Sequence, residues 1–143
     1  MRGQRLRYLR EEFEYTQNFV ATYLDCNRTT YANWELGNII VPLDMVGKLA
    51  ILYNTSLSYI LGLEQAKLVK DKIKPIDYDY MRNNLRELKL KNNHSYARIS
   101  RYIDTDKSTT NRYFNGKIKI PTDKLILLCE FYDIEIDKLC GTK

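Results

Sequence analysis

Thiols and imidazoles are the side chains best suited to metal binding, redox exchange and acid–base work near neutral pH, and this chain has three and one: Cys26, Cys129, Cys140 and His94. Their spacing does not combine them. No CxxC pair occurs and no cysteine stands near His94 in sequence, whereas a zinc centre needs about four nitrogen or sulfur ligands. Free, reduced thiols are expected, as in a reducing cytosol. Cys26 falls where a helical pattern breaks, so a small turn residue is the plain reading. His94 precedes Ser95 and reads as a polar residue at a helix start. There is no GxGxxG, GxxxxGK[ST] or GxSxG, and no nucleophile, base and orienting group recur together. Catalysis, cofactor and metal are therefore not expected.

What remains is binding chemistry. The 143 residues carry 23 Lys and Arg against 18 Asp and Glu, a formal charge of +5 with a pI near 9.0. A basic, metal-free chain points to nucleic acid or protein as partner. The composition, 44% hydrophobic and 29% charged, is that of a folded protein. No apolar run approaches the roughly 18 residues of a membrane span, and the first residues lack the apolar core of a signal peptide. A cytoplasmic protein without a membrane partner is expected.

The elements that must position any binding residues come in two sets. Shifted by 79 residues, positions 5–62 align with 84–141 without a gap, and thirteen of 58 pairs are identical. Chance would give three or four, at roughly 6% identity from average residue usage. Among the identities are Leu6/Leu85, Tyr23/Tyr102, Asp25/Asp104, Gly37/Gly116, Pro42/Pro121 and Tyr53/Tyr132. Apolar spacing within each copy is helical. In the first, Leu6, Leu9 and Phe13 mark one helix; Phe19, Val20, Tyr23 and Leu24 line a second capped by Thr16. Asp25-Cys26-Asn27 interrupts the pattern. A third helix spans 28–36 and stops at Gly37, where glycine takes a left-handed conformation cheaply. A fourth opens at Pro42 and presents Val46, Leu49, Leu52 and Tyr53, and a short fifth at 57–61 follows Ser56. The second copy predicts helices at 85–90, 96–103, 107–115, 122–132 and 136–140, with Asp77 or Asp79 capping an earlier start to the first. The expected fold is all-α: two tandem five-helix helix-turn-helix domains, 1–64 and 79–143, joined by a short charged linker at 65–78. That linker contains Lys67, Lys70, Lys72 and Lys74, and a helical extension over 64–72 is compatible with its residues.

Five short helices with a tight break between the second and third describe a helix-turn-helix unit. The first copy resembles the Cro/phage-repressor (XRE-type, lambda-repressor-like) family. The match is carried by Arg5-Leu6-Arg7-Tyr8-Leu9-Arg10, Tyr15-Thr16-Gln17, Val20-Ala21-Thr22-Tyr23-Leu24, residues 28–37 (RTTYANWELG) and residues 56–62 (SLSYILG). The resemblance implies that the third helix enters the major groove of double-stranded DNA and leads with its N-terminus. Base contacts then fall to Asn27, Arg28, Thr29 and Asn33, and backbone contacts to Gln17 and Asn38. Arg can donate twice to guanine, and Asn can pair with adenine. Arg10 and Glu35 match a structural ion pair of the family. Trp34 is expected to pack rather than to stack on bases.

The second copy departs from this pattern. Gln17 becomes Tyr96, Ala21 becomes Ser100, Asn27 becomes Asp106, Tyr31 becomes Thr110 and Glu35 becomes Phe114, which leaves Lys89 facing an apolar ring. Lys107, Ser108, Arg112, Lys117 and Lys119 nevertheless suit contacts to DNA. Two roles stay open for this copy: a second DNA-binding module, or a surface for dimerisation or another protein.

The function expected is a sequence-specific transcriptional regulator, a repressor, that homodimerises and works without a cofactor. The alternative is an inhibitor or adaptor from a phage or mobile element that binds protein on a helix-turn-helix scaffold. Charge divides unevenly: residues 1–64 hold six basic against seven acidic side chains, and residues 65–143 hold seventeen against eleven. Reading in the first copy and anchoring in the second would fit that division.

Overall fold

The computed structural model describes residues 3–65 and 71–143, and among them every regular element is a helix. The chain divides into two compact units, Met1–Pro75 and Ile76–Thr142. The first holds α1 (Gln4–Glu12), α2 (Gln17–Tyr23), α3 (Arg28–Glu35), α4 (Leu43–Tyr53) and α5 (Leu57–Ile60). The second holds α6 (Tyr78–Lys91), α7 (Tyr96–Ile103), α8 (Lys107–Phe114), α9 (Thr122–Tyr132) and α10 (Ile136–Cys140). No described helix is long and apolar enough to cross a membrane.

Capping residues set where these helices begin. Thr16 Oγ1 accepts the Phe19 N–H at 3.0 Å, and Ser56 Oγ accepts the Tyr59 N–H at 3.0 Å. In the second unit Ser95 Oγ accepts the Arg98 N–H at 3.1 Å. Each bond satisfies a backbone donor that the first helical turn leaves free. Asp77 is the cap of α6, accepting the Tyr80 N–H at 3.0 Å, so that helix runs two turns further back than the apolar pattern at 85–90 indicates. Gly37 and Gly116 follow the third helix of each unit at φ of 78° and 72°, in the left-handed region that glycine enters without a Cβ penalty.

The first core is built from Leu6, Leu9, Val20, Leu24, Tyr31, Val46, Leu49, Tyr53 and Leu57, all at most 2% exposed. Leu52, expected on the same face of α4, is only half-buried. Trp34 is 5% exposed and meets Tyr31 edge-on, so it packs as expected. The second core uses Met81, Leu85, Ile99, Ile103, Phe114, Leu125, Leu128, Ile136 and Leu139. At the α2–α3 contact the first unit places small Ala21 beside large, buried Tyr31. The second puts Ser100 and Thr110 at those positions, and their hydroxyls bond each other at 2.6 Å. The exchange removes the Tyr31 ring and leaves two buried hydroxyls, which the bond between them keeps satisfied.

The expected linker is not a free tether where it is described. Ile73 is buried, and its N–H donates to Asn54 Oδ1 at 3.1 Å, which fastens the segment to the first unit. Tyr78 already belongs to α6. Glu64, Gln65, Asp71 and Lys72 are non-helical; residues 66–70 of the expected helical extension, with Lys67 and Lys70, lie outside the described residues.

Candidate nucleic-acid interface

The helix-turn-helix of the first unit is α2, the turn at 24–27, and α3. Asp25 turns the chain at φ 57°, and the Cys26 N–H returns to the Ala21 carbonyl at 3.0 Å. The second unit repeats this with Asp104 at φ 54° and the Thr105 N–H on the Ser100 carbonyl at 3.0 Å. Aspartate is one of the few non-glycine residues that tolerate this conformation. Lys124 on α9 adds a clamp in the second unit, donating to the Ile103 carbonyl at 2.7 Å and the Asp104 carbonyl at 3.0 Å.

On α3, one helix face buries Tyr31, Trp34 and Glu35 and the other is open. At 100° per residue, Arg28, Thr29, Ala32, Asn33 and Leu36 share that open face. Arg28, Thr29 and Leu36 are exposed, and Ala32 and Asn33 are half-buried. The structure therefore brings together three of the four expected base-contacting residues. Asn27 differs. It is the N-cap of α3, and its Oδ1 accepts the Thr30 N–H at 2.7 Å, so the acceptor needed to pair with adenine is already engaged. Gln17 opens α2, half-buried, and Asn38 is exposed just beyond α3, its N–H held by the Asn33 carbonyl at 3.2 Å.

The same face of α8 carries Lys107, Ser108, Asn111, Arg112 and Asn115, all exposed, while Thr110, Tyr113 and Phe114 are buried behind it. Lys117 and Lys119 are exposed on the following loop. Sequence reasoning overlooked Asn111 and Asn115, although their spacing from Lys107 and Ser108 was available; they align with apolar Ala32 and Leu36 and so lay off the family pattern. The side chains of Asn111 and Asn115 are hydrogen-bonded to each other. Asp106 corresponds to Asn27 and does the same work: its Oδ1 accepts the Thr109 N–H at 2.7 Å and its Oδ2 the Thr109 hydroxyl at 2.8 Å. The backbone bond first, then the hydroxyl, holds this carboxyl below its ordinary value. Asp106 thus fills the same capping role as Asn27, which either residue type can serve.

Behind the recognition helices the two units differ. In the first, Arg10 grips Glu35 with both Nε (2.9 Å to Oε2) and Nη2 (3.0 Å to Oε1), and Nη1 donates to the Tyr15 carbonyl at 3.0 Å. The bond to Glu35 raises the Arg10 guanidinium above its ordinary value. The ion pair implied by the resemblance is present. In the second unit the positions of Arg10, Gln17 and Glu35 form a stack. Lys89 Nζ lies 4.4 Å from the Tyr96 ring centroid, and Tyr96 meets Phe114 edge-on at 5.6 Å. Lys89 therefore faces Tyr96 rather than Phe114, and a cation–π contact takes the place of the ion pair. Arg86 then donates to the Phe114 carbonyl at 2.9 Å and satisfies the end of α8. Among the described residues no group of three or more His, Cys, Asp or Glu is placed to hold a metal ion.

Comparison with known proteins agrees with this geometry. The helix-turn-helix family model matches the chain twice, over residues 6–60 and 85–139. An uncharacterized HTH-type transcriptional regulator of Bacillus subtilis (strain 168), YobD, is 38% identical over 60 residues, covering 42% of this chain and 54% of the relative. The chain thus matches about half the length of that relative. No solved structure shows significant similarity to it. With two matches that together span most of the chain, each over one five-helix unit, the protein belongs to the helix-turn-helix family, of the Cro/C1 (XRE) type found in DNA-binding transcription regulators.

Proposed function

We propose that both units read double-stranded DNA, and that the chain is a sequence-specific repressor acting by occupying its operator. One observation carries this reading: α3 and α8 leave the same helical face open, and on both that face presents hydrogen-bond donors at its N-terminal end. In the first unit Arg28, Thr29 and Asn33 address base edges, with Gln17 and Asn38 on the backbone. Asn27 holds the end of α3 and keeps its amide N–H2 for a phosphate or base acceptor. In the second unit Ser108, Asn111 and Asn115 face the bases, and Lys107, Arg112, Lys117 and Lys119 contact phosphates. Two linked modules gain affinity through effective concentration, and homodimerisation would extend the site to further half-sites. This reading needs no catalytic step or cofactor.

Fluorescence anisotropy with duplex DNA across a salt series tests the proposal. Binding should fall steeply with salt, because each neutralised phosphate contributes about −0.9 to the log–log slope. On a selected operator, Asn33→Ala should cost about 1–3 kcal/mol and relax preference at one base pair. Lys107→Ala should weaken all sequences alike and lower the slope by about one. Salt-insensitive binding, or none at low ionic strength, would refute the DNA reading.

A further inference from the structure

The two units hold their third helices in the same local frame. α3 and α8 each follow a turn made by an aspartate in the left-handed conformation, Asp25 at φ 57° and Asp104 at φ 54°. The next residue, Cys26 or Thr105, returns its N–H to the second helix at 3.0 Å. Each third helix then starts from a capping side chain, Asn27 or Asp106, and runs for eight residues. Positions 79 apart therefore project alike from the two helices, and the open faces differ only in their side chains.

Along the middle of that face the first unit places Thr29, Ala32 and Leu36, and the second places Ser108, Asn111 and Asn115. At 100° per residue, three such positions lie within about 60° of one another. The flanks are Arg28 and Asn33 in one unit, Lys107 and Arg112 in the other. Beyond Thr29 the first line is apolar: Leu36 is 60% exposed and Ala32 is half-buried. The second line is polar throughout, and all three residues are exposed. Its two amides are joined, Asn115 Nδ2 donating to Asn111 Oδ1. That bond gives the pair a polarity. Asn111 keeps its N–H2 group for a partner, and Asn115 keeps its Oδ1. One amide that pairs with adenine uses its oxygen and nitrogen together; here the two functions are divided between residues one turn apart.

We propose, on the reading that both units bind DNA, that the operator consists of two unlike half-sites and that Asn111 and Asn115 set the difference. In the major groove thymine exposes a methyl group, cytosine and adenine an amino donor, and guanine two acceptors. Leu36 gains by covering a thymine methyl, but it would strip water from an amino group without replacing the hydrogen bond. Asn115 does the reverse: its Oδ1 accepts from cytosine N4 or adenine N6 and finds no donor on thymine. Asn111, through its N–H2, takes a purine N7 or guanine O6, which Ala32 cannot address. Equivalent positions of the two half-sites thus hold thymine opposite Leu36 and an amino-bearing base opposite Asn115. A second copy of the first half-site would leave the Asn115 oxygen against a methyl group, unpaired.

The test selects bound fragments from random duplex DNA at low salt, where both units engage, and measures anisotropy on the result. A site containing two kinds of half-site is expected. A duplex carrying either half-site twice should bind about tenfold or more weakly than the composite, the usual effect of one mismatched base pair. N111A/N115L copies the first unit at two exposed positions. It should move the preferred base opposite residue 115 from cytosine or adenine to thymine, with far-UV circular dichroism unchanged. A selected site with only one kind of half-site would overturn the proposal and leave salt-sensitive DNA binding standing. So would an N111A/N115L chain that binds all sequences more weakly with its base preference unaltered. Absence of salt-sensitive binding by the parent chain would overturn the DNA reading and this proposal with it.

Discussion

Removing the Glu35 carboxylate tests a buried charge pair that the first unit has and the second replaces with a cation–π contact. In Glu35→Ala, Arg10 loses three contacts, at 3.2, 2.9 and 3.0 Å, and keeps the Tyr15 carbonyl. Breaking a buried pair costs about 3–5 kcal/mol because a charge is left without its partner. The Arg10 side chain is 14% exposed, so water screens part of that charge, and the lower end, about 3 kcal/mol, is expected. A unit of this size has roughly 4–10 kcal/mol of stability in total. With a urea m-value near 1 kcal/mol/M, the midpoint should drop by about 3 M. The assay is selective, because Trp34 is the single tryptophan and sits buried in α3 of the first unit. Its fluorescence follows that unit, and far-UV circular dichroism follows both. Glu35→Gln, which keeps neutral hydrogen bonds, should cost only about 1–1.5 kcal/mol. Transplanting the second unit's solution, Arg10→Lys with Gln17→Tyr and Glu35→Phe, should regain most of what Glu35→Phe alone loses. A Glu35→Ala midpoint within about 0.5 kcal/mol of the parent would refute the reasoning and reduce the pair to a surface contact.

Three further outcomes follow from single features. Gly3 lies against the end of α3, where a Cβ would meet the Glu35 carbonyl oxygen at 1.9 Å; Gly3→Ala should therefore destabilise the first unit by about 1–3 kcal/mol, seen as an earlier Trp34 transition. The Asp106 carboxyl is depressed in the folded chain, so its contribution is present above the ordinary aspartate value near 4 and is lost as pH falls through the folded value. Asp106→Asn, which keeps the cap oxygen, should flatten that acid dependence in Thr109 amide exchange; an unchanged pH profile would contradict the assignment. Burial pushes the Cys129 thiol up to about 12 and Cys140 higher still, whereas Cys26 is half-buried with a milder rise from desolvation and Asp25. A thiol reagent at pH 8 should label Cys26 alone in the native chain and all three cysteines in urea.

The helices were legible because their signals are local. Thr16, Ser56, Gly37 and the 3.6-residue spacing each act within a turn or two, and the duplication let each copy check the other. The capping role of Asn27 was not legible because capping and base recognition use the same residue type at the same place, and only the bond to Thr30 reveals it. The Lys89–Tyr96–Phe114 stack was half legible: the loss of Glu35 was plain, but its replacement depends on which ring the lysine reaches. Ile73 was hidden for another reason. One apolar residue among lysines has no periodicity, and the partner of its N–H, Asn54, stands 19 positions away.

The two recognition faces differ in a way that net charge alone does not express. The α3 face has one full charge, Arg28, together with exposed Leu36, and Ile39 follows it at 57% exposure. The α8 face has Lys107 and Arg112, and Lys117 and Lys119 flank Ile118 on the corresponding loop. Apolar side chains at a major-groove surface discriminate thymine methyl groups and gain little from low salt, while lysines on phosphates gain much and discriminate nothing. In the proposed reading, the salt dependence of the whole chain therefore resides mainly in the second unit and its sequence preference in the first. Selection from random DNA at low and high salt separates the two contributions. High salt should leave a shorter preferred site set by α3, and loss of both preferences together would mean that neither face works independently.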